Sequence, residues 1–142
     1  MENSDIDNVR GLSGVDFEGD DRHSSEKVAR VYEFYESGRY QEALAMAEAD
    51  PQISAMSYGQ VLMGNCYKKL GSKNSAMAHW KKAVDISPLE HSAYINIANE
   101  LYEQGNAAEA ILNWHTAATI VPENPTVNLN LALAYDKKGS RI

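Results

Sequence analysis

Four glycines, Gly38, Gly71, Gly105 and Gly139, recur along the 142-residue chain at spacings of 33, 34 and 34. Ala43, Ala76 and Ala110 each follow one of the first three by five residues, and Pro88 and Pro122 follow two of them by 17. A fixed period of this length is the mark of a chain that builds one supersecondary unit repeatedly and buries a continuous core by stacking the copies.

The stretches between these marks have helical periodicity. In residues 57–70 the apolar set is Tyr58, Val61, Leu62, Met63, Cys66, Tyr67 and Leu70; in residues 91–104 it is Ala93, Tyr94, Ile95, Ile97, Ala98, Leu101 and Tyr102. Stripes this wide predict helices buried on more than one side. A glycine after each such helix supplies the left-handed cap that reverses the chain. Second helices are predicted over residues 74–86 and 108–120, each stopping before a proline that cannot continue it. The pattern is all-α, in helix–turn–helix units.

Charge is unevenly spread. The net charge is −7, yet residues 1–25 alone carry seven acids and two bases. That segment is also poor in large apolar residues, so it cannot offset an ordering entropy of ~1–2 kcal/mol per residue, and residues 1–23 are expected to be an acidic disordered tail. Its spaced apolar residues Ile6, Val9, Leu12, Val15 and Phe17 leave open a docking role. The remaining body is near neutral and has no concentrated basic surface of the kind that neutralises phosphates, which argues against nucleic acid as a partner. One cysteine, Cys66, rules out an internal disulfide, and no apolar run approaches the ~20 residues of a membrane span. With no basic-then-apolar leader at the start, the cytoplasm is the expected location.

These residues resemble the tetratricopeptide repeat family. In the repeat starting at Ser57 the matching residues are Met63, Gly64, Tyr67, Ala76, Trp80, Ala83 and Pro88. In the repeat starting at His91 they are Tyr94, Ile97, Ala98, Leu101, Ala110, Trp114, Ala117 and Pro122. A partial repeat from Pro125 supplies Leu131, Ala132 and Tyr135, and a degenerate first one supplies Phe34, Gly38, Tyr40 and Ala43 before a short second helix ending near Asp50. The resemblance implies a domain over residues 24–142, with repeats at about 24–56, 57–90 and 91–124 and a partial one at 125–142. The implied architecture is three helix pairs and a seventh helix in a right-handed superhelix. Trp80 and Trp114 fall at the same repeat position and read as core.

The resemblance also implies a partner-binding groove. Its residues would be Tyr58, Val61, Leu62, Asn65, Lys68 and Lys69; Ser92, Ile95, Asn96, Asn99, Tyr102 and Glu103; and Thr126, Leu129, Asn130, Leu133, Asp136 and Lys137. Asparagine is a weak helix former, so Asn65, Asn96, Asn99 and Asn130 in helix interiors ask for a reason. An amide carries both donors and an acceptor, so a row of them can hold a peptide backbone; the alternative is that they bond across the stack. A carboxylate clamp, seen in chaperone-binding members, is not expected, because its cationic positions here hold Val61, Thr126 and Asn130. No metal ligand spacing, cofactor motif or nucleophile arrangement is legible around His79, His115 or Cys66. Leu129, Leu131, Leu133 and Tyr135 leave the last helix with an apolar face open to self-association or to further repeats of a longer protein.

The expected function is non-catalytic: an adaptor or scaffold that holds a protein or peptide partner, with no cofactor. Two alternatives remain open, a type III secretion-type chaperone for a client protein and the repeat arm of a larger enzyme such as a peptide-modifying glycosyltransferase.

Overall fold

A computed structural model describes residues 21–137, with side chains from Glu26 onward. The expectations for the acidic tail and for Gly139 lie outside the described residues. Among those described, all regular structure is helical: α1 (Asp21–Glu36), α2 (Tyr40–Ala49), α3 (Pro51–Ser54), α4 (Ser57–Lys69), α5 (Lys73–Ile86), α6 (His91–Glu103), α7 (Ala107–Ile120) and α8 (Pro125–Lys137). None is long and apolar enough to cross a membrane.

Three turns reverse the chain in the same way. Gly38, Gly71 and Gly105 have φ of 80°, 88° and 89°, a region that a side chain would strain. The following N–H closes each helix end: Arg39 N bonds Phe34 O at 2.9 Å, Ser72 N bonds Tyr67 O at 2.8 Å, and Asn106 N bonds Leu101 O at 2.9 Å. These are the long bonds of a glycine-terminated helix. The chain then doubles back, so α1 packs on α2, α4 on α5, and α6 on α7. Small residues at the crossings permit close approach: Ala43, Ala76, Ala83, Ala98, Ala110 and Ala117 are all buried. Trp80 and Trp114, each 3% exposed, fill the space beside them.

The first repeat departs from the pattern. About seven helices were expected; the eighth is α3, a single turn. Asp50 caps it by accepting from Gln52 N at 2.9 Å, and Pro51 occupies its first turn, where a missing N–H costs nothing. Pro51 therefore starts a helix as well as following the end of α2. The fully buried Ile53 of α3 is pressed onto α4 at Gly59, where a Cβ would lie 2.0 Å from the Ile53 carbonyl oxygen. Only glycine fits that crossing.

The first helices of successive repeats, α1, α4, α6 and α8, form one layer, and α2, α5 and α7 form the other. The apolar interior falls into two adjoining clusters, one centred on Val31, Leu62 and Trp80 and one on Ile95, Trp114 and Val127.

Candidate functional site: the seams between first helices

Each first helix carries a ridge formed by the fifth, ninth and twelfth residues of its repeat, counted from Ser24, Ser57, His91 and Pro125, along which it can meet the next. On α1 these are Val28, Tyr32 and Tyr35, at 2%, 9% and 7% exposure, covered as α4 packs alongside. On α4 they are Val61, Asn65 and Lys68; on α6, Ile95, Asn99 and Tyr102; on α8, Leu129, Leu133 and Asp136.

The α4/α6 seam is sealed by polar bonds. Asn65 Oδ1 accepts from Trp80 Nε1 at 3.1 Å and from Asn96 Nδ2 at 2.9 Å. Its own Nδ2 is buried without a partner. Lys68 Nζ donates to Glu100 and, at 3.1 Å, to Glu103. The Glu100 side chain is fully enclosed; Gln104 Nε2 donates to it at 3.1 Å, and the Lys73 charge lies 4.0 Å away. Burial alone would raise the Glu100 pKa; the bonds from Lys68 and Gln104 and the two lysine charges outweigh it and hold it below the usual carboxylate value. At the end of the same seam, Glu90 accepts from Ser57 Oγ at 2.6 Å and Ser92 Oγ at 2.8 Å.

The α6/α8 seam repeats the asparagine motif and then opens. Asn99 Oδ1 accepts from Trp114 Nε1 at 3.1 Å and weakly from Asn130 Nδ2 at 3.4 Å. Here the twelfth residue is Tyr102, whose ring tilts against Trp114 at 5.5 Å. Among the described residues no lysine bridges these two helices. Asn99, Tyr102, Glu103, Trp114, Asn130 and Leu133 instead line an open cleft of about 270 Å³.

Two family models match the chain, one described as "TPR repeat" over residues 98–139 and one as "Tetratricopeptide repeat" over residues 59–88. The chain is a tetratricopeptide repeat protein. No curated protein matches its sequence. Among solved structures, the Yersinia enterocolitica type III secretion translocator chaperone SycD is 19% identical with a TM-score of 0.74, over 86% of this chain and 90% of SycD. The first repeat domain of Spaghetti (RPAP3), solved with an HSP90 peptide, is 16% identical with a TM-score of 0.72, over 84% and 96%. MamA is 16% identical with a TM-score of 0.70, over 80% and 67%. At these identities the likeness is one of fold.

Within this tetratricopeptide repeat, the residues expected to line the groove divide by burial. Tyr58, Val61, Leu62, Asn65, Ser92, Ile95 and Asn96 are buried. Lys68, Asn99, Tyr102, Thr126 and Asn130 are half-buried, and Lys69, Glu103, Leu129, Leu133, Asp136 and Lys137 are exposed. The buried set is seam material. The carbonyls of Asn65 and Asn99 are spent on tryptophan N–H groups and on the amides of Asn96 and Asn130 in the next repeat, so the asparagines bond across the stack. What sequence reasoning missed is the Trp–Asn partnership; its signal was present, since Asn65–Trp80 and Asn99–Trp114 share a spacing of 15.

The remaining candidates are engaged in packing. His79 Nδ1 meets Gln60 Oε1 at 2.7 Å and its ring stacks on Tyr67 at 5.1 Å. His115 Nε2 meets Tyr135 Oη at 2.8 Å. Burial, with help from the Glu48 charge, pushes the Cys66 thiol up to about 12, so it stays protonated at neutral pH. No group of three His, Cys, Asp or Glu among the described residues is placed to hold a metal ion.

Proposed function

We propose that this chain is a non-catalytic protein-interaction module, an adaptor that holds a segment of a partner protein in the cleft between α6 and α8. The observation that carries this is the contrast between two equivalent seams. One is closed by Lys68 reaching into Glu100; the other carries Tyr102 and Leu133 at the equivalent edge and stays open. Aromatic and aliphatic walls beside amides suit a peptide, whose side chains need apolar contact and whose backbone needs both donors and acceptors. Along such a surface a partner would bury on the order of 1,000 Å² and bind at about micromolar strength. The lone thiol accords with a cytoplasmic setting.

A second reading has its own support. The likeness to SycD extends over 90% of that chaperone, which has also been solved with a peptide of the translocator YopD. A chaperone for a secreted client therefore stands as the specific form of the same peptide-holding role. The exposed Leu129 and Leu133, at 58% and 56%, are a further contact face on α8, open to a second copy.

The test is affinity capture with the full chain and with a Tyr102→Ala, Leu133→Glu variant. Tyr102 is half-buried and Leu133 exposed, so neither change opens the core and the variant is expected to keep its helicity. A partner retained equally by both chains would overturn the cleft as the site. Loss of a partner that is an aggregation-prone secreted protein would select the chaperone form over the adaptor.

A further inference from the structure

The charges of this chain are segregated along the stack. Residues 83–136 contain seven acids and no lysine or arginine at all, whereas nine of the thirteen Lys and Arg residues lie between positions 22 and 82. The cleft between α6 and α8 is built entirely from that one-signed stretch. Its carboxylate, Glu103, is 57% exposed, and its cationic neighbour Lys68 comes from the preceding repeat. Lys68 is shared, because it also neutralises the fully enclosed Glu100. Glu103 thus keeps charge to offer, beside an aromatic wall of Tyr102 over Trp114 and next to the exposed Leu133.

We propose that the segment held in this cleft carries a basic side chain, with an apolar neighbour seated on Leu133. This rests on the cleft being the partner site and names the chemistry that selects the partner. Arginine fits best: its planar guanidinium stacks on an aromatic face while its N–H groups reach a carboxylate, and it gives up hydration more readily than an ammonium. Asn99 and Asn130 border the same space, and the Nδ2 of the first and the Oδ1 of the second remain for the neighbouring peptide unit. The one charged residue lining the cleft is the Glu103 carboxylate, which an acidic segment would meet as like charge. The acidic stretch of residues 83–136 steers a basic segment toward the cleft and makes its association rate salt-dependent.

The experiment uses the full chain and a phage-displayed library of random 12-residue peptides. The expected result is enrichment of arginine and lysine in the selected pool, with a large aliphatic residue nearby. Selected peptides should weaken about tenfold when their basic residue becomes glutamine, and about fivefold against Glu103→Gln but not against the distant Glu123→Gln. Trp114 and Trp80 supply two indole N–H signals, distinguishable by Trp80→Phe; binding should move the Trp114 signal. Selected peptides that move Trp114 yet bind equally with glutamine in place of the base would overturn this inference and leave the cleft as the site. A pool whose peptides leave Trp114 unmoved, or no selection above background, would overturn both readings.

Discussion

Asn65→Ala tests the central structural claim, that an asparagine at a seam is a structural bolt. The substitution removes two hydrogen bonds to Oδ1, at 3.1 Å from Trp80 and 2.9 Å from Asn96. Each contributes ~0.5–1.5 kcal/mol net, and leaving the Trp80 N–H buried without an acceptor adds ~1–3 kcal/mol. Alanine returns ~0.6 kcal/mol of helix propensity. The expected loss is about 2–4 kcal/mol. In urea, with a slope of ~1.5 kcal/mol/M for a domain of this size, the midpoint should fall by about 1.5–2.5 M. Asn99→Ala is the internal control. Asn99 is half-buried, so water can reach the orphaned Trp114 N–H, and its contact with Asn130 is already long at 3.4 Å. Its loss should be about 1 kcal/mol, while the propensity gain is the same and cancels in the comparison. Trp80→Phe deletes the N–H itself, so the double variant with Asn65→Ala should lose at least ~1 kcal/mol less than the sum of the singles. Equal losses at 65 and 99, or a strictly additive double variant, would refute the reasoning.

Three further outcomes follow from other contacts. Gly59→Ala should cost about 3 kcal/mol or more, because its Cβ meets the Ile53 carbonyl oxygen at 2.0 Å; Gly38→Ala, with open space but φ of 80°, should cost only about 1 kcal/mol, and thermal melts will rank the two. Glu100→Gln should cost about 1–2 kcal/mol near neutral pH, since it breaks an enclosed ion pair whose lysine is about a third exposed. The Glu100 pKa is held below 4.5 in the folded chain, so its stabilisation is present above that value and lost as pH falls through the lower folded pKa; denaturation below that range should no longer distinguish variant from parent. His91 acts in the same direction, at higher pH. It is buried, with Nε2 unpartnered, and burial lowers its pKa from 6.5 against the smaller opposing pull of Glu90. The folded state thus prefers the neutral ring, and stability should fall as pH drops below about 6.5. His91→Gln should flatten that decline in melts between pH 7.5 and 5.5, and only in part, since His79 is shifted the same way by its own burial.

The helix pairs were legible because their causes are local. A glycine that must adopt positive φ, an apolar stripe and a proline after the last turn act within a few residues of the boundary they set, so α4 to α8 fall where the periodicity puts them. The first repeat was harder to read. Its second helix ends at Ala49, next to Asp50 as the pattern predicts, yet Asp50 is also a cap and with Pro51 starts a further turn, α3, rather than a loop. Distinguishing the two needs Ile53 to find its place against Gly59, a contact between elements. The tryptophans were legible as core for the same reason as the glycines, since their repeat position recurs.

By itself the sequence determined the period, the family and the list of residues on the inner side of the first helices. It did not determine which of them are buried between repeats and which stay exposed, because the face of a helix that meets the next repeat and the face that meets solvent overlap in a period of 3.6. Only the packed stack decided that. It spent the carbonyl of Asn65 on Trp80 and Asn96, closed the α4/α6 seam with Lys68 and Glu100, and left the equivalent seam at α6 and α8 open between Tyr102 and Leu133. The same repeat position therefore does structural work in one seam and faces a cleft in the next, and the difference lies in what the neighbouring helix brings to it.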